Sequence, residues 1–330
     1  MDTRLEAYFR EYLEAWFRQQ PLAATQLGDH RFDDRLDDVS PRARREWIAL
    51  SRQTLEGLPR RVKFEELSRP GQVDYDILQQ HLKRSLWLEE NIRRFETDPR
   101  VYNEYISDAV FLLLSQSSLP KEQNLANCLA RMEQIPQVAA AAKLSLTNPP
   151  RAALETAIRQ NEGSIGFYEK DIFELAGKTP RLQELKTSAA RVVSTLKEYG
   201  KYLKEDLLPR AHGEWRLGRE TFSQKLELEL DAGLSADQVL AEAEAEFDRV
   251  SREMQVIARQ LWSSYYPKMP VPADDAVGRR EMVARVLERI GQDHCKPQKL
   301  VSEVRDTVAA VKDFIRAHEI LTLPSPDSCR

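Results

Sequence analysis

The sequence predicts an all-α fold, a multi-helix array of long antiparallel helices. Three observations carry this expectation. Apolar residues recur at helical spacing along most of the 330 residues. Glycine is scarce, with 12 in the chain. No run of β-branched and aromatic residues alternates as a strand would. At 42% hydrophobic residues the chain can bury a sizeable core. No repeat of about 20–50 residues and no low-complexity linker interrupts it, so 1–330 reads as a single all-α region. Within it, 1–145 holds N-terminal helices, 146–210 a long helical hairpin, and 211–330 a connector and C-terminal helices.

The first helix is marked by Leu5, Tyr8, Phe9, Tyr12, Leu13, Trp16 and Phe17 on one stripe. Glu6, Arg10, Glu14 and Arg18 form an alternating charge ladder on the other face. Pro21 ends it or opens the next turn, and the polar turn "LGDHRFDDRLDD" follows. Ser40-Pro41 pairs an N-cap with proline at the first helical position, so a helix starts there. A helix is expected over 70–97 through Tyr75, Leu78, Leu82, Leu86 and Leu88. Residues 103–116 are apolar on nearly all sides, which predicts a central, fully covered helix. A shorter one is expected over 119–136.

Heptad spacing marks the next pair. Leu154, Ile158, Asn161, Ile165, Tyr168 and Ile172 step by alternating fours and threes, as do Leu185, Ala189, Val192, Leu196, Tyr199 and Leu203. "GKTP" joins them as an antiparallel hairpin. An irregular connector spans 208–222. Ser235 to Gln238 then forms a capping box that opens a long helix through Leu240, Ala243, Phe247, Val250, Met254, Ile257 and Leu261. After a Pro-rich loop, helices are expected near 276–291 and 297–320.

Charge narrows the function classes. Lys and Arg number 49 against 53 Asp and Glu, a net charge of −4 with both signs interspersed. That gives no electrostatic reason to expect nucleic acid or an anionic membrane as partner. Cys128, Cys295 and Cys329 are far apart and form no C-x-x-C, which suggests a reducing compartment. The charged N-terminus shows no signal peptide and no stretch reaches the length of a membrane span. A cytoplasmic protein is expected.

The motifs that carry chemistry are incomplete. His318-Glu319 starts the zinc helix H-E-x-x-H, but Thr322 stands where the second histidine belongs and Pro324 follows. A di-metal bundle needs Glu three residues before His on two helices, and none of His30, His81, His212, His294 or His318 has it. "GEWRLGRE" (213–220) resembles a phosphate loop, but Arg219-Glu220 replace Lys and Ser/Thr. Ser-x-x-Lys occurs at Ser118–Lys121 and Ser194–Lys197, too common a pattern to specify catalysis. The glutamates Glu242 and Glu246 read as a solvated helix face. The residues alone therefore supply a helical scaffold without a recognisable catalytic, cofactor or metal set.

Two irregular stretches resemble a known family. "WFRQQPLAATQLGDHRFDDRLDDVSP" (16–41) is similar to the opening of the bacterial family called domain of unknown function 885, through Pro21, Ala24, Thr25, Leu27, Gly28, His30, Phe32 and Asp33. "LLPRAHGEWRLGRETFSQKL" (207–226) resembles its mid-chain connector, through Leu208, Pro209, Ala211, Gly213, Trp215, Arg216, Leu217, Gly218, Glu220 and Phe222. The resemblance implies a zincin-like helical metallohydrolase acting on peptides, with this chain as its N-terminal helical half. The family's zinc helix would lie downstream, so zinc is expected in a full-length relative and no ligand or base carries over to this chain. The chain is then expected to form a cleft wall or lid, inactive alone, with His30, His212 and Arg216 as candidate cleft-lining residues. Its expected partners are a peptide substrate and either the missing C-terminal half or a second copy covering an apolar face. The alternative is a non-catalytic helical scaffold or interaction module.

Overall fold

A computed structural model describes residues 1–115 and 118–324. The tail from Ser325, which includes Cys329, lies outside the described residues, as do Gln116 and Ser117. Helices run throughout, and no strand occurs among the described residues. The chain divides into two compact units, Met1–Ala236 and Asp237–Arg330. The sequence subdivisions at 145/146 and 210/211 do not coincide with this division.

The first unit opens with α1 (Asp2–Gln19), α2 (Pro21–Gln26), α3 (Pro41–Arg61) and α4 (Arg69–Asn91). Ser40 and Ser68 cap α3 and α4 by accepting from the Ala43 and Gly71 amides at 3.2 Å each. The α1 stripe delivers Leu5, Tyr8 and Tyr12 to a small core with Leu58, Val62, Tyr75, Leu78 and Leu82. The helix expected over 70–97 is broken: Leu88 O accepts from both Ile92 N and Arg93 N, and Arg93 adopts φ 50. A one-turn α5 (Arg94–Thr97) follows.

The larger core gathers around α6 (Arg100–Ser115), which packs against α2, α7 (Lys121–Met132), α8 (Ile135–Ser145) and α9 (Arg151–Gly166). It is central, as its composition implied, but not fully covered, because Phe111 is 44% exposed. Each aliphatic side chain sealed here, such as Ile106 or Leu113, contributes about 1.5–3 kcal/mol of burial.

The hairpin is built from α9, α10 (Ile172–Ala176) and α11 (Leu182–Lys201), turned at Gly177 with φ +55. Its heptad residues Leu154, Tyr168, Ile172, Leu185, Leu196 and Leu203 are fully buried. Asn161 locks the pair by donating to Leu196 O at 2.9 Å. Each long helix ends in a π turn, Phe167–Asp171 and Tyr202–Leu207. The first places the Tyr168 hydroxyl to donate to Ile106 O at 2.8 Å. The connector then runs extended to α12 (Arg219–Leu230), which packs on α4.

The second unit comprises α13 (Ala236–Tyr265), α14 (Ala276–Gly291) and α15 (Leu300–His318). Its core is small: Ala258, Trp262, Met282 and Val286, with Leu261, Tyr265, Tyr266 and Val283 against them. Asp275 caps α14 through the Val277 and Gly278 amides. No residue of α15 is buried. Among the described residues, no helix is long and apolar enough to cross a membrane.

Candidate functional site

The polar turn after α2 points Phe32, Asp33, Leu36 and Asp37 inward and leaves Arg31, Asp34, Arg35 and Asp38 exposed. Asp33, 1% exposed, sits at its centre. His30 Nδ1 lies 2.8 Å from Asp33 Oδ2, and the Thr25 hydroxyl lies 2.6 Å from Asp33 Oδ1. From α7 the fully buried Arg131 donates to Thr25 Oγ1 at 2.6 Å, with its guanidinium 3.8 Å from Asp33. A second arm of the same guanidinium reaches Ala109 O at 3.4 Å. Thr25, His30, Asp33 and Arg131 thus form one network, buried except at the partly exposed His30, that ties the turn to α6 and α7. Burial pushes the Arg131 guanidinium down from its usual value, and Asp33 opposes that shift.

The same turn carries Asp37 to a pocket of about 170 Å³. That volume matches a benzene-sized group. Gln19 and Gln20 at the end of α1, Arg44 and Trp47 on α3, Glu89 on α4, and Tyr105 on α6 line it with Asp37. Burial pushes the Asp37 carboxyl up to about 7, against the Leu22 amide that donates to it at 2.9 Å and the positive charge of Arg131. Burial also raises the Glu89 carboxyl, with Arg44 and Arg94 pulling the other way. Arg44 stacks 4.8 Å over the Phe95 ring and reaches Ser145 Oγ at 3.4 Å, while its buried Nε has no partner. Arg94 covers the same ring at 5.6 Å and pairs with Glu104 at 3.1 Å.

Chemically, the pocket offers two acids shifted toward neutral pH, two guanidinium groups and an aromatic wall. Such a set suits a small polar group of mixed charge, and Asp37 is placed to exchange a proton near pH 7.

The residues singled out from the sequence are not gathered at this pocket. None of His30, His212 and Arg216 lines it. His30 belongs to the buried network, with Nε2 3.4 Å from Ser118 Oγ. His212 is exposed on the connector and donates its backbone amide to Asn148 Oδ1 at 2.8 Å. Arg216 is exposed too, stacked 4.3 Å over Trp215 and 3.6 Å from Glu214.

The connector is held by Gly213. A Cβ there would fall 2.2 Å from Asn148 O and 2.8 Å from the Pro149 carbonyl carbon, both backbone. Gly213→Ala is therefore expected to destabilise the first unit by about 1–3 kcal/mol. Urea unfolding checks this, and an unchanged midpoint would show that the connector moves freely.

Zinc does not fit the half-motif on α15. The helix ends at His318, Glu319 turns into the left-handed region with φ 50, and position 322 is threonine. Among the described residues, no three His, Cys, Asp or Glu side chains come together as a metal site would require. Glu242 and Glu246 are exposed, and Glu246 pairs with Arg249 at 2.6 Å. Cys128 and Cys295 carry free thiols.

Sequence reasoning missed Arg131, Asp37 and Glu89. Arg131 had a signal: it lies three residues after Cys128, on the apolar side of its helix beside Met132.

Comparisons with known proteins fit this architecture. The profile of a family described as "Bacterial protein of unknown function (DUF885)" matches residues 21–329. No curated protein matches. Among three matching solved chains is "The structure of a putative lipoprotein of unknown function from Shewanella oneidensis". It superimposes with a TM-score of 0.72 at 23% identity, over 97% of this chain and 59% of its own. The likeness is one of fold, and the chain spans 59% of that neighbour's length.

Proposed function

The chain belongs to the bacterial DUF885 family of unknown function, and from that premise we propose that it forms the substrate-cleft portion of a larger, zincin-like hydrolase acting on peptides. In this reading the chain is the N-terminal helical part, and zinc with its ligands sits on a segment outside it. The observation that carries the reading is one of extent. Nearly all of this fold recurs inside a longer chain, of which it makes up 59%. The pocket beside Asp37 and Glu89 is where a polar end of the peptide would be held. The chain's own residues bind and orient there; no bond-breaking step is assigned to them. The cytoplasmic location expected from the sequence is part of the same proposal.

The test uses the chain by itself. Titration with a mixture of short peptides, followed by calorimetry, is expected to show binding with Kd below about 1 mM. Glu89→Gln is expected to weaken that binding severalfold, mass spectrometry to find no cleavage, and metal analysis no stoichiometric zinc. One tightly held zinc per chain would overturn the placement of the reacting centre elsewhere. Absence of peptide binding would overturn the cleft.

A second reading, a non-catalytic helical interaction module, is favoured by one observation. In the second unit, α13 and α15 present long apolar stripes to solvent, an unusual surface for a protein without a partner there.

A further inference from the structure

The stripes in the second unit have a regular spacing. On α13, Leu240, Ala243, Phe247, Val250, Met254 and Ile257 step by threes and fours. Leu240, Phe247 and Ile257 are 58%, 72% and 54% exposed. On α15, Val301, Val304, Val308, Val311 and Ile315 follow the same step. Val301, Val304 and Val311 are each at least half exposed. Both are seams of the kind that supercoiled helix pairs bury. Among the described residues neither seam is buried: Met254, Val308 and Ile315 are partly covered and the other large seam residues are exposed.

The flanks of the seams differ in sign. The positions just before the seam residues Phe247 and Met254 are Glu246 and Glu253, seven apart. Arg249 pairs with both, so the edge keeps a net negative charge. On α15 the positions just after Val304 and Val311 are Arg305 and Lys312, also seven apart, and Lys312 too has an interaction partner within its own chain. Lay the two helices parallel with Phe247 beside Val301. Val250 then meets Val304, Met254 meets Val308 and Ile257 meets Val311. In the same register Glu246 faces Arg305 and Glu253 faces Lys312, the edge pairing by which parallel coiled coils choose partners. Laid antiparallel, the acidic edge would face Leu300, Thr307 and Phe314 instead. Two copies of α13 laid antiparallel would set acid against acid, and laid parallel would set the acids against Ser251 and Ala258.

We propose that the second unit is a self-association surface whose occupant is a second copy of this chain: α13 of one copy lies parallel on α15 of the other, and the pairing is repeated about a two-fold axis. A two-fold dimer buries both seams of both copies with one kind of contact. Matched seams and opposite edges on the same polypeptide are what a second copy supplies, and an unrelated partner would not require them. The inference stands apart from the peptidase reading and uses none of the pocket residues.

Light scattering on the full chain after size exclusion tests it. The expected mass is twice 38.1 kDa. Phe247→Glu with Val304→Glu, both exposed in the single chain, is expected to give the monomer mass with unchanged helical circular dichroism. Two charge swaps follow, Glu246→Lys with Glu253→Lys, and Arg305→Glu with Lys312→Glu. Each alone is expected to raise the dimer dissociation constant about tenfold or more. Mixed one to one, the two swapped chains are expected to re-form a dimer, because every edge then meets its opposite. A monomeric parent chain overturns the proposal, including the case where α15 closes on α13 of its own copy. A dimer that ignores both swaps, or swapped chains that fail to rescue each other, overturns the assigned surface.

Discussion

Arg131→Ala is expected to lower the stability of the first unit by about 3–5 kcal/mol, the cost of leaving a buried carboxylate without its counter-charge. Both partners are out of water, Arg131 at 0% and Asp33 at 1% side-chain exposure. Solvent screening therefore offers little relief. The Thr25 hydroxyl accepts from Arg131 at 2.6 Å and donates to Asp33 at 2.6 Å, so it relays the pair across the 3.8 Å gap. Thr25→Val is expected to cost less, because the direct attraction survives. Arg131→Met with Asp33→Asn is expected to recover much of the loss, since it removes both charges together. Denaturant unfolding with a double-mutant cycle measures this. A loss below about 1 kcal/mol for Arg131→Ala would mean that Asp33 is satisfied without it.

The second large effect is a pH dependence. Asp37 titrates near 3.9 in an unfolded chain and is raised to about 7 when folded. Below about pH 4 both states hold the proton, and the group is neutral toward stability. From about pH 4 to 7 the unfolded chain releases a proton that the folded chain keeps, so stability falls as pH rises. Above that range both states are ionised and the full penalty stands, about 4 kcal/mol for a shift of about 3 units. Asp37→Asn keeps an oxygen to accept from the Leu22 amide and removes the charge. It is expected to match the parent near pH 4 and to exceed it by about 2–4 kcal/mol at pH 8. Parallel stability curves over that range would show that Asp37 is ionised at no cost. Glu89, raised in the same direction, accounts for part of the slope that remains.

Much of the helical architecture was legible because burial follows period. The stripes on α9 and α11 named side chains nearly all of which are buried, that on α1 named Leu5, Tyr8 and Tyr12 together with four that are only partly buried, and Ser40-Pro41 named a helix start to the residue. What escaped were features without a local signature. A π turn adds one residue to a helix and leaves the heptad pattern readable through it, as at Tyr168. The break at Arg93 needs a left-handed residue where no glycine stands. The site was less legible still. "LGDHRFDDRLDD" has the composition of a solvated turn, yet Asp33 is buried beside an arginine supplied about a hundred residues later and Asp37 is buried against the Leu22 amide. The seams of α13 and α15 were visible as periodicity, but a period does not say that its stripe is left open.

The 106 residues between Thr25 and Arg131 also set a schedule for the chain as it is made. The small core of α1, α3 and α4 is complete in sequence by Leu82, so it has what it needs to close early. The turn carrying His30, Asp33 and Asp37 has to wait for α7. At about 5–20 residues per second on the ribosome, the interval is roughly 5–20 s. During it the acids remain hydrated and the nascent N-terminus carries an unfilled socket, so a slowed ribosome between Leu82 and Arg131 prolongs the period in which this segment is open to proteases and chaperones.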